Sequence, residues 1–332
     1  MKLMHSSIQW LGALALGLAA LSASAPAQTV VLYSSNNPEA IGNAVAAAKK
    51  KHPSLTVKQV TGGTGTLMKR IQAESANPGG DLFWSGGVGT LAAFPDLMEA
   101  YRSPEAKAIA PQFHGPGDRY IGVNVHVMVL MVNDKQLKGL ASPKTWSDLM
   151  KPEWKGKVVI TDPSKSGTAF IQIYGLLKQF GREGLEKIAA NAVVTQSSGQ
   201  VYKSVAAGEY PVGITIESSA YEFVVGGQKE IKLVYPSEGT YLGAEGMFIV
   251  KGAKNAAAAR QFYDVLLSKP AQEMLLVENF RRPTRSDIAV SKLTSMPDLA
   301  SLKVFPLNLQ VATEEYEQLI SLWNLALAKA KR

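Results

Sequence analysis

The chain has 332 residues, of which 46% are hydrophobic and 19% charged, and these proportions are those of a globular protein rather than a disordered one. A chain of this length has room for two domains. It contains no cysteine, which excludes disulfides, thiol nucleophiles, cysteine metal sites and a lipid-anchored cysteine. The formal net charge of +8 is compatible with nucleic acid, an anionic membrane or a small anionic ligand as partner.

Residues 1–27 are typical of a secretory signal peptide. Lys2 precedes the apolar run WLGALALGLAAL, and the small residues SASAPA follow it, so we expect a Sec-type signal cleaved at Ala25-Pro26-Ala27. A retained membrane anchor is less favoured, because the apolar run is short and is followed by small rather than basic residues. We therefore predict export to a bacterial periplasm, where nucleic acid is not an expected partner.

An apolar strand, a short polar turn and a helix follow one another repeatedly along the chain. In the first instance, residues 30–33 form the predicted strand, residues 34–37 the turn, and Pro38 the first helical position. The later instances, in chain order, are LTVKQVTGGTGTLMKR, DLFWSGGVGTLAAF, GKVVITDPSKSGTAF, AVVTQSSGQVYK and PVGITIESSAYEF. This alternation predicts an α/β protein with mostly parallel sheets, in which ligands bind at the carboxyl ends of the strands.

Two long strand-like segments indicate how the chain passes between two lobes. Residues 120–134 alternate like a strand that leaves the first lobe, and residues 232–250 return to it. We expect one lobe from residues 28–130 plus 241–332 and a second from residues 131–240. The tail is predicted to be helical and to close with an amphipathic helix over about residues 313–331.

The segment TGGTGT, at one predicted helix start, indicates an anion site. The first amides of a helix have no intrahelical partner and lie at the positive end of its dipole. Gly65 lets an oxyanion approach the backbone, and Thr64 and Thr66 add hydroxyl donors. Helix capping is the alternative, but recurrence of the pattern favours a shared ligand cleft. No GxxxxGK[ST] loop and no complete dinucleotide fingerprint is present, so nucleotide hydrolysis is poorly supported.

Two further predicted helix starts carry similar donors. PSKSGTAF offers Ser166, Gly167 and Thr168, and TQSSGQVYK offers Ser197 and Ser198. Both segments are candidate anion seats at the carboxyl end of a strand. For each of them, capping alone is the alternative.

Acidic residues also follow strands. Glu217 comes after the apolar strand VGITI, where a carboxylate either favours the helix dipole or accepts hydrogen bonds from ligand hydroxyls or an ammonium group. Glu238 and Glu245, on either side of Tyr241, allow the same two interpretations. We include Glu217 and Tyr241 among the ligand-binding candidates.

Nothing in the sequence favours catalysis. None of the four histidines lies near a plausible nucleophile, and GxSxG and HExxH are both absent. A triad assembled from distant residues is left open. We predict no catalytic residue, no metal site and no cofactor, and therefore a binding protein rather than an enzyme.

Several segments together resemble a known family: VVLYSSN, GGTGTLMKRIQAESANPGGDLFWSGG, PKTWSDLMKPEWKGKVVITDPSKSGTAF, SSGQVYKSVAAGEYPVGITIESSAYEFV, YPSEGT and RRPTR. The chain resembles periplasmic solute-binding proteins of ABC importers, of the two-lobed type II. It is most similar to the group for ferric iron, hexose phosphates or 2-aminoethylphosphonate. This resemblance covers essentially the whole mature chain. It implies two α/β lobes, each a mostly parallel sheet flanked by helices, joined by strand crossovers and closing over a ligand by hinge motion.

The resemblance also implies partners and ligand loops. The partners would be a small solute and an inner-membrane ABC permease, and we expect a monomer. The family's ligand loops fall on Ser34, Ser35, Thr64, Gly65, Thr66, Ser85, Ser166, Gly167, Thr168, Ser197, Ser198 and Glu217.

One departure from the family bears on the ligand. The ferric branch holds its metal with two adjacent tyrosines near ESSAYEFV, where this chain has only Tyr221. Ferric iron prefers phenolate and carboxylate oxygens, so we expect a phosphorylated or phosphonated organic anion, in keeping with the basic charge. A ferric receptor of the same fold and an exported phosphoesterase are the alternatives. RRPTR, residues 281–285, is interpreted as a structural feature near the hinge or a transporter contact rather than a phosphate clamp.

Overall fold

A computed structural model of the protein describes residues 28–330, without the side chains of residues 310 and 313. The predicted signal peptide lies outside the described residues. The chain forms an α/β structure around a mixed sheet of 11 strands. The strands are β1 (Gln28–Ser34), β2 (Leu55–Thr61), β3 (Leu82–Gly87), β4 (Met98–Glu99), β5 (Ile121–Asn133), β6 (Val158–Thr161), β7 (Ala192–Thr195), β8 (Val212–Ile216), β9 (Ile231–Val234), β10 (Leu242–Val250) and β11 (Arg282–Pro283).

Helices connect most of these strands, as the predicted alternation requires. They are α1 (Pro38–Lys51), α2 (Thr64–Ala73), α3 (Val88–Leu91), α4 (Gly167–Asn191), α5 (Ser198–Ala206), α6 (Glu217–Val225), α7 (Ala256–Leu267), α8 (Lys269–Asn279), α9 (Leu309–Glu314) and α10 (Tyr316–Ala330). The first helix begins at Pro38 as predicted, and the Asn37 side chain caps it by accepting from the backbone N–H of Ala40. Among the described residues, no helix has both the length and the apolar character that crossing a bilayer would need.

Two parallel groups of strands are joined by antiparallel ones. The strand order is β2-β1-β3-β10-β5-β8-β6-β7. Strand β1 is parallel to β2 and β3, and β6 is parallel to β7 and β8. Strands β10 and β5 lie antiparallel to each other between these groups. The carboxyl ends of β1, β2 and β3 therefore lie together in one strand group, and those of β6, β7 and β8 lie together in the other.

Strand β5 belongs to both groups. It has 13 residues, and all of them are buried. Its first half pairs with β10 up to Val127, opposite Leu242, and its second half pairs with β8 from Met128, opposite Ile216. We propose that the chain passes from one lobe to the other at these strands, close to the domain limits predicted from the sequence.

Each strand group has its own hydrophobic core. Trp84 and Phe262 lie in the core of the first lobe, and Trp146 and Trp323 lie in that of the second. Burying such aromatic side chains provides much of the driving force for folding. Because the cores are separate, the polar loops between them are left free to form a site.

The closing helix α10 packs on the second lobe, whereas the predicted domain limits place it in the first. Its buried residues Leu319 and Trp323 belong to the core of the second lobe, and Lys178 Nζ of α4 lies 2.7 Å from the Glu315 carboxylate. The tail therefore crosses back to the second lobe, although residues 241–332 were assigned to the first. An amphipathic helix shows which of its faces is apolar but not which apolar surface will cover it.

Candidate functional site

A cavity of about 450 Å³ lies between the two lobes. Residues at or just beyond the carboxyl ends of β1, β2 and β3 form one wall. The other wall comes from residues at or beyond the carboxyl ends of β6, β7 and β8, including the helices that follow. The floor comes from β5, from β10 and from the residue before β11. Its volume suits a small organic ligand, and its position at the carboxyl ends of parallel strands is where α/β proteins bind ligands.

Three hydroxyl groups of the first lobe form one cluster. Ser35 follows β1, Thr64 opens α2, and Ser85 lies in β3. The Ser35 Oγ lies 2.5 Å from Ser85 Oγ and 2.9 Å from Thr64 Oγ1. Neighbouring parallel strands bring the three together, and we call this set the first hydroxyl cluster.

The backbone at Ser85 is unusual. Its φ of 151° is rare for a residue with a side chain, and the next residue, Gly86, has a φ of 74°. A Cβ on Gly86 would lie 2.5 Å from Cγ2 of Thr64. Such conformations cost about 1–3 kcal/mol and cluster at functional sites. Both Ser85 and Gly86 line the cavity.

Three hydroxyl groups of the second lobe form a matching cluster. Ser166 Oγ lies 2.6 Å from Ser198 Oγ and 2.9 Å from Thr168 Oγ1. Ser166 also caps α4, because its Oγ accepts from the Ala169 N–H at 3.3 Å. Strands β6 and β7 are parallel neighbours, so their following turns lie side by side. We call this set the second hydroxyl cluster.

The two lobes touch through glycine backbone beside these clusters. A Cβ on Gly65 would lie 2.1 Å from the carbonyl oxygen of Ser164, and one on Gly167 would lie 2.2 Å from the backbone nitrogen of Gly87. Contacts this short do not occur with a side chain present. The glycines therefore allow the helix starts of opposite lobes to meet, which closes one side of the cavity.

A buried ionic group lies on the cavity floor. Arg281 Nη1 donates to both carboxylate oxygens of Glu245, at 2.9 and 3.1 Å, and Asn124 Nδ2 donates to the same carboxylate at 2.5 Å. Burial raises the pKa of Glu245, but Arg281 and His126 outweigh it, so the net shift is downward. Burial lowers the pKa of His126 to about 4, so this side chain is neutral near pH 7.

The Nδ1 atom of His126 is buried and has no hydrogen-bond partner among the described residues. The side chain nevertheless lines the cavity. A neutral imidazole has one donor and one acceptor nitrogen, and burying such a group without a partner costs free energy. His126 Nδ1 is therefore an unused hydrogen-bonding position in the cavity floor.

Helix α6 turns one face to the cavity. Ser219, Glu222 and Phe223 line it, in keeping with their spacing of three and four residues. The Asn37 Nδ2 of the first lobe donates to Glu222 Oε1 at 3.3 Å. Burial raises the pKa of Glu222, although Arg281 opposes the shift. The Phe223 ring lies 6.0 Å from that of Tyr202, which also lines the cavity.

The structure brings together many of the residues predicted from the sequence. The predicted residues that line the cavity are Ser35, Thr64, Ser85, Ser166, Gly167, Thr168, Ser197 and Ser198. The remaining predicted residues are absent from its lining and are Ser34, Gly65, Thr66, Glu217 and Tyr241.

The Glu217 carboxylate is hydrogen-bonded to other residues of the protein. Arg282 donates to its two carboxylate oxygens at 2.6 and 2.9 Å, and the Tyr235 hydroxyl donates to it at 2.5 Å. Glu217 and Arg282 are each 2% exposed. We therefore correct the expectation that Glu217 accepts hydrogen bonds from the ligand, because its oxygens already have three donors.

Tyr241 is likewise a core residue. Its ring stacks on Trp146 with 4.9 Å between centroids, and its hydroxyl donates to Gln179 at 2.7 Å. Ser34 donates to the Trp84 carbonyl oxygen at 2.7 Å, and Thr66 is exposed on α2. None of these three residues is retained in the candidate site.

Sequence reasoning missed several residues of the lining. Asn37 and Tyr202 were not singled out, and neither was Glu222. A helical projection from the strand ends could have found two of them, because Tyr202 lies one turn beyond Ser198 and Glu222 one turn beyond Ser219. Each of the three arginines of RRPTR forms an ion pair. Arg281 pairs with Glu245 and Arg282 with Glu217. Arg285 pairs with both Glu105 and Asp287.

Within residues 28–330, no group of three or more His, Asp or Glu side chains is placed to hold a metal ion. Tyr221, the residue at the position of the ferric tyrosines, does not line the cavity. Its hydroxyl lies 2.6 Å from the Ser295 Oγ.

Comparison with known proteins gives consistent matches. The family model of bacterial extracellular solute-binding proteins matches residues 77–308. The structure of the periplasmic binding protein AfuA from Actinobacillus pleuropneumoniae, with fructose 6-phosphate bound, is similar at a TM-score of 0.83 and 27% identity, over 90% of this chain and 98% of that one.

Two curated relatives have names that refer to different ligands. An Fe(3+)-binding periplasmic protein from Serratia marcescens is 26% identical over 92% of this chain and 94% of its own. A putative 2-aminoethylphosphonate-binding periplasmic protein from Salmonella paratyphi A is 24% identical over 73% of each chain.

Proposed function

This chain belongs to the bacterial extracellular solute-binding protein family, and we propose that it captures a small phosphorylated or phosphonated organic anion in the interlobe cavity. It acts in the periplasm and hands the solute to an inner-membrane ABC permease. It performs no chemistry on the solute. A sugar phosphate or 2-aminoethylphosphonate is the kind of ligand we expect.

The observation that supports this function best is the opposition of the two hydroxyl clusters across one cavity. An oxyanion between them can accept hydrogen bonds from both lobes and from the free amides at the starts of α2 and α4. A hydrogen bond to a charged group contributes about 1.5–3 kcal/mol. Five or six such bonds are enough for micromolar binding, which needs about 8 kcal/mol after the costs of association.

Charge and similarity support the same ligand class. Lys165 and Lys203 line the cavity beside the second hydroxyl cluster, where they raise the local concentration of anions. The similar structure of AfuA contains fructose 6-phosphate, and the relative from Salmonella paratyphi A is named for 2-aminoethylphosphonate.

Calorimetric titration of the mature chain tests the proposal. We expect micromolar or tighter binding of fructose 6-phosphate or 2-aminoethylphosphonate, and no turnover of 4-nitrophenyl phosphate. Failure of every organic phosphate and phosphonate to bind would overturn the ligand class, and release of 4-nitrophenolate would contradict a purely binding role.

The same preparation tests ferric iron, which the relative from Serratia marcescens makes the second candidate. Ferric citrate is added and the visible spectrum recorded, because a ferric–tyrosinate site absorbs visible light. A stoichiometric band, combined with no binding of the organic anions, would replace our proposal with a ferric receptor.

A further inference from the structure

We propose that Glu222 reads the second end of the ligand by accepting a protonated amine, so that the preferred solute is a zwitterion with an anionic head and an ammonium group. This inference rests on the proposed function, because it assumes a phosphate or phosphonate head between the two hydroxyl clusters. It assigns to Glu222 the recognition role that the sequence suggested for Glu217.

The charges on the cavity walls are arranged in a way that suits such a ligand. Lys165 adjoins Ser166 of the second hydroxyl cluster, and Lys203 lies on α5 one turn beyond Gly199. Glu222 lies on α6, next to Asn37 of the first lobe. Among the described residues, none of the three charged side chains forms an ion pair within 4.0 Å. A ligand with charges of both signs would complement them.

Glu222 differs in this respect from the other two carboxylates near the cavity. Glu217 is held by Arg282, and Glu245 is held by Arg281. Glu222 is partly buried, and its hydrogen-bond donor among the described residues is the Asn37 amide at 3.3 Å. A carboxylate that has lost part of its hydration gains most from a cation. A ligand hydroxyl would leave that charge uncompensated.

The charges around Glu222 agree with a carboxylate that lacks a cationic partner. Burial raises the pKa of Glu222, Arg281 opposes the shift, and Glu39 adds to it. The positive charge of Arg281 is itself matched by Glu245 at 2.9 Å. The Arg281 and Glu245 pair is neutral overall, so it leaves the negative charge of Glu222 uncompensated.

Aromatic rings beside Glu222 favour an ammonium group over a hydroxyl. Tyr202 and Phe223 both line the cavity, with 6.0 Å between their ring centroids. Burial raises the pKa of Tyr202, and the negative charge of Glu222 adds to this shift. A cation held near an aromatic face gains a further attraction that a neutral hydroxyl does not.

Two ligand pairs that differ in one amine test the inference. Calorimetry on the mature chain compares glucosamine 6-phosphate with glucose 6-phosphate, and 2-aminoethylphosphonate with ethylphosphonate. We expect the aminated member of at least one pair to bind about ten- to a hundredfold more tightly. Glu222→Gln should abolish that preference, because the neutral amide of glutamine cannot form an ion pair with the ammonium group.

Glu39→Gln is the matched control, because Glu39 acts on Glu222 electrostatically from α1 but does not line the cavity. It should keep the preference, and both variants should melt within a few degrees of the parent protein. Equal binding within both pairs, or a preference that survives Glu222→Gln, would overturn the role of Glu222 and leave the proposed function intact. If all four compounds fail to bind, the phosphate or phosphonate class fails and this inference with it.

Discussion

Arg282 and Glu217 form a buried ion pair in which the guanidinium Nε lies 2.6 Å from one carboxylate oxygen and Nη2 lies 2.9 Å from the other. The pair joins β11, which is paired with β5 in the first lobe, to the start of α6 in the second. It therefore connects the two lobes beside the crossover strands.

Removal of one partner should destabilise the protein strongly. Glu217→Ala leaves the buried guanidinium of Arg282 without its carboxylate, and we expect a loss of about 3–5 kcal/mol in the free energy of unfolding, measured with urea. The double variant Glu217→Leu with Arg282→Met should recover much of this loss, because no buried charge is left unpaired. A loss below about 1 kcal/mol in the single variant would contradict this role.

Threonine 64 offers a direct test of the first hydroxyl cluster. Thr64→Ala removes a hydroxyl that lies 2.9 Å from Ser35 Oγ on the cavity wall, and we expect ligand affinity to fall about ten- to a hundredfold. Thr66→Ala is the matched control, since Thr66 is exposed two residues later on the same helix. Equal affinities for the two variants, by calorimetry, would remove Thr64 from the site.

Ser166 provides the corresponding test in the second lobe. Ser166→Ala should weaken binding by about ten- to a hundredfold and should also reduce stability by about 1 kcal/mol, because the residue caps α4. Ser166→Asp would restore a cap while placing a negative charge beside the anion. We expect that variant to be as stable as the parent and to bind no anion; tight binding by it would argue against an anion seat at this position.

The close contact between Gly65 and the opposite lobe predicts that a side chain at this position would prevent the lobes from closing. Gly65→Ala places a Cβ 2.1 Å from the Ser164 carbonyl oxygen, so the lobes should be held apart and ligand affinity should fall at least tenfold. The helix itself should not suffer, because alanine favours a helix more than glycine does. Gly42→Ala is the control, as no atom lies within 4 Å of its added Cβ. Small-angle scattering should show that ligand no longer compacts the Gly65 variant; normal compaction would contradict the block.

His126 predicts an acid-dependent loss of stability. Burial lowers its pKa from 6.5 to about 4, with Glu245 opposing the shift and Arg281 adding to it. Between these pKa values the unfolded chain binds the proton more readily, so stability falls as the pH is lowered from about 6.5 to 4, by up to about 3 kcal/mol. His126→Asn should remove this part of the pH dependence in urea unfolding. A parallel decline in both proteins would assign the effect to other groups.

The positions of the hydroxyl groups in the proposed anion site could be predicted from the local sequence to a large extent. Ser35 and Thr64 each follow an apolar run, and so do Ser166 and Ser198, and a residue that follows a parallel strand must lie at one edge of the sheet. The strand, turn and helix pattern thus located the hydroxyl groups by chain geometry. The close contact of Gly65 and Gly167 with backbone of the opposite lobe was not predicted, because the sequence analysis assigned to glycine only the approach of an oxyanion.

What the sequence determined by itself was the α/β architecture and the positions of these donors, since both depend on neighbours a few residues apart. The tertiary structure alone decided which carboxylate faces the cavity. Glu217 and Glu222 lie on the same short helix, yet Arg282, 65 residues away from Glu217, sequesters it and leaves Glu222 exposed to the ligand space. Contacts between distant segments likewise decide the position of α10, which packs on the second lobe. Pairing and packing between distant segments depend on shape and charge in three dimensions, and local periodicity contains no record of them.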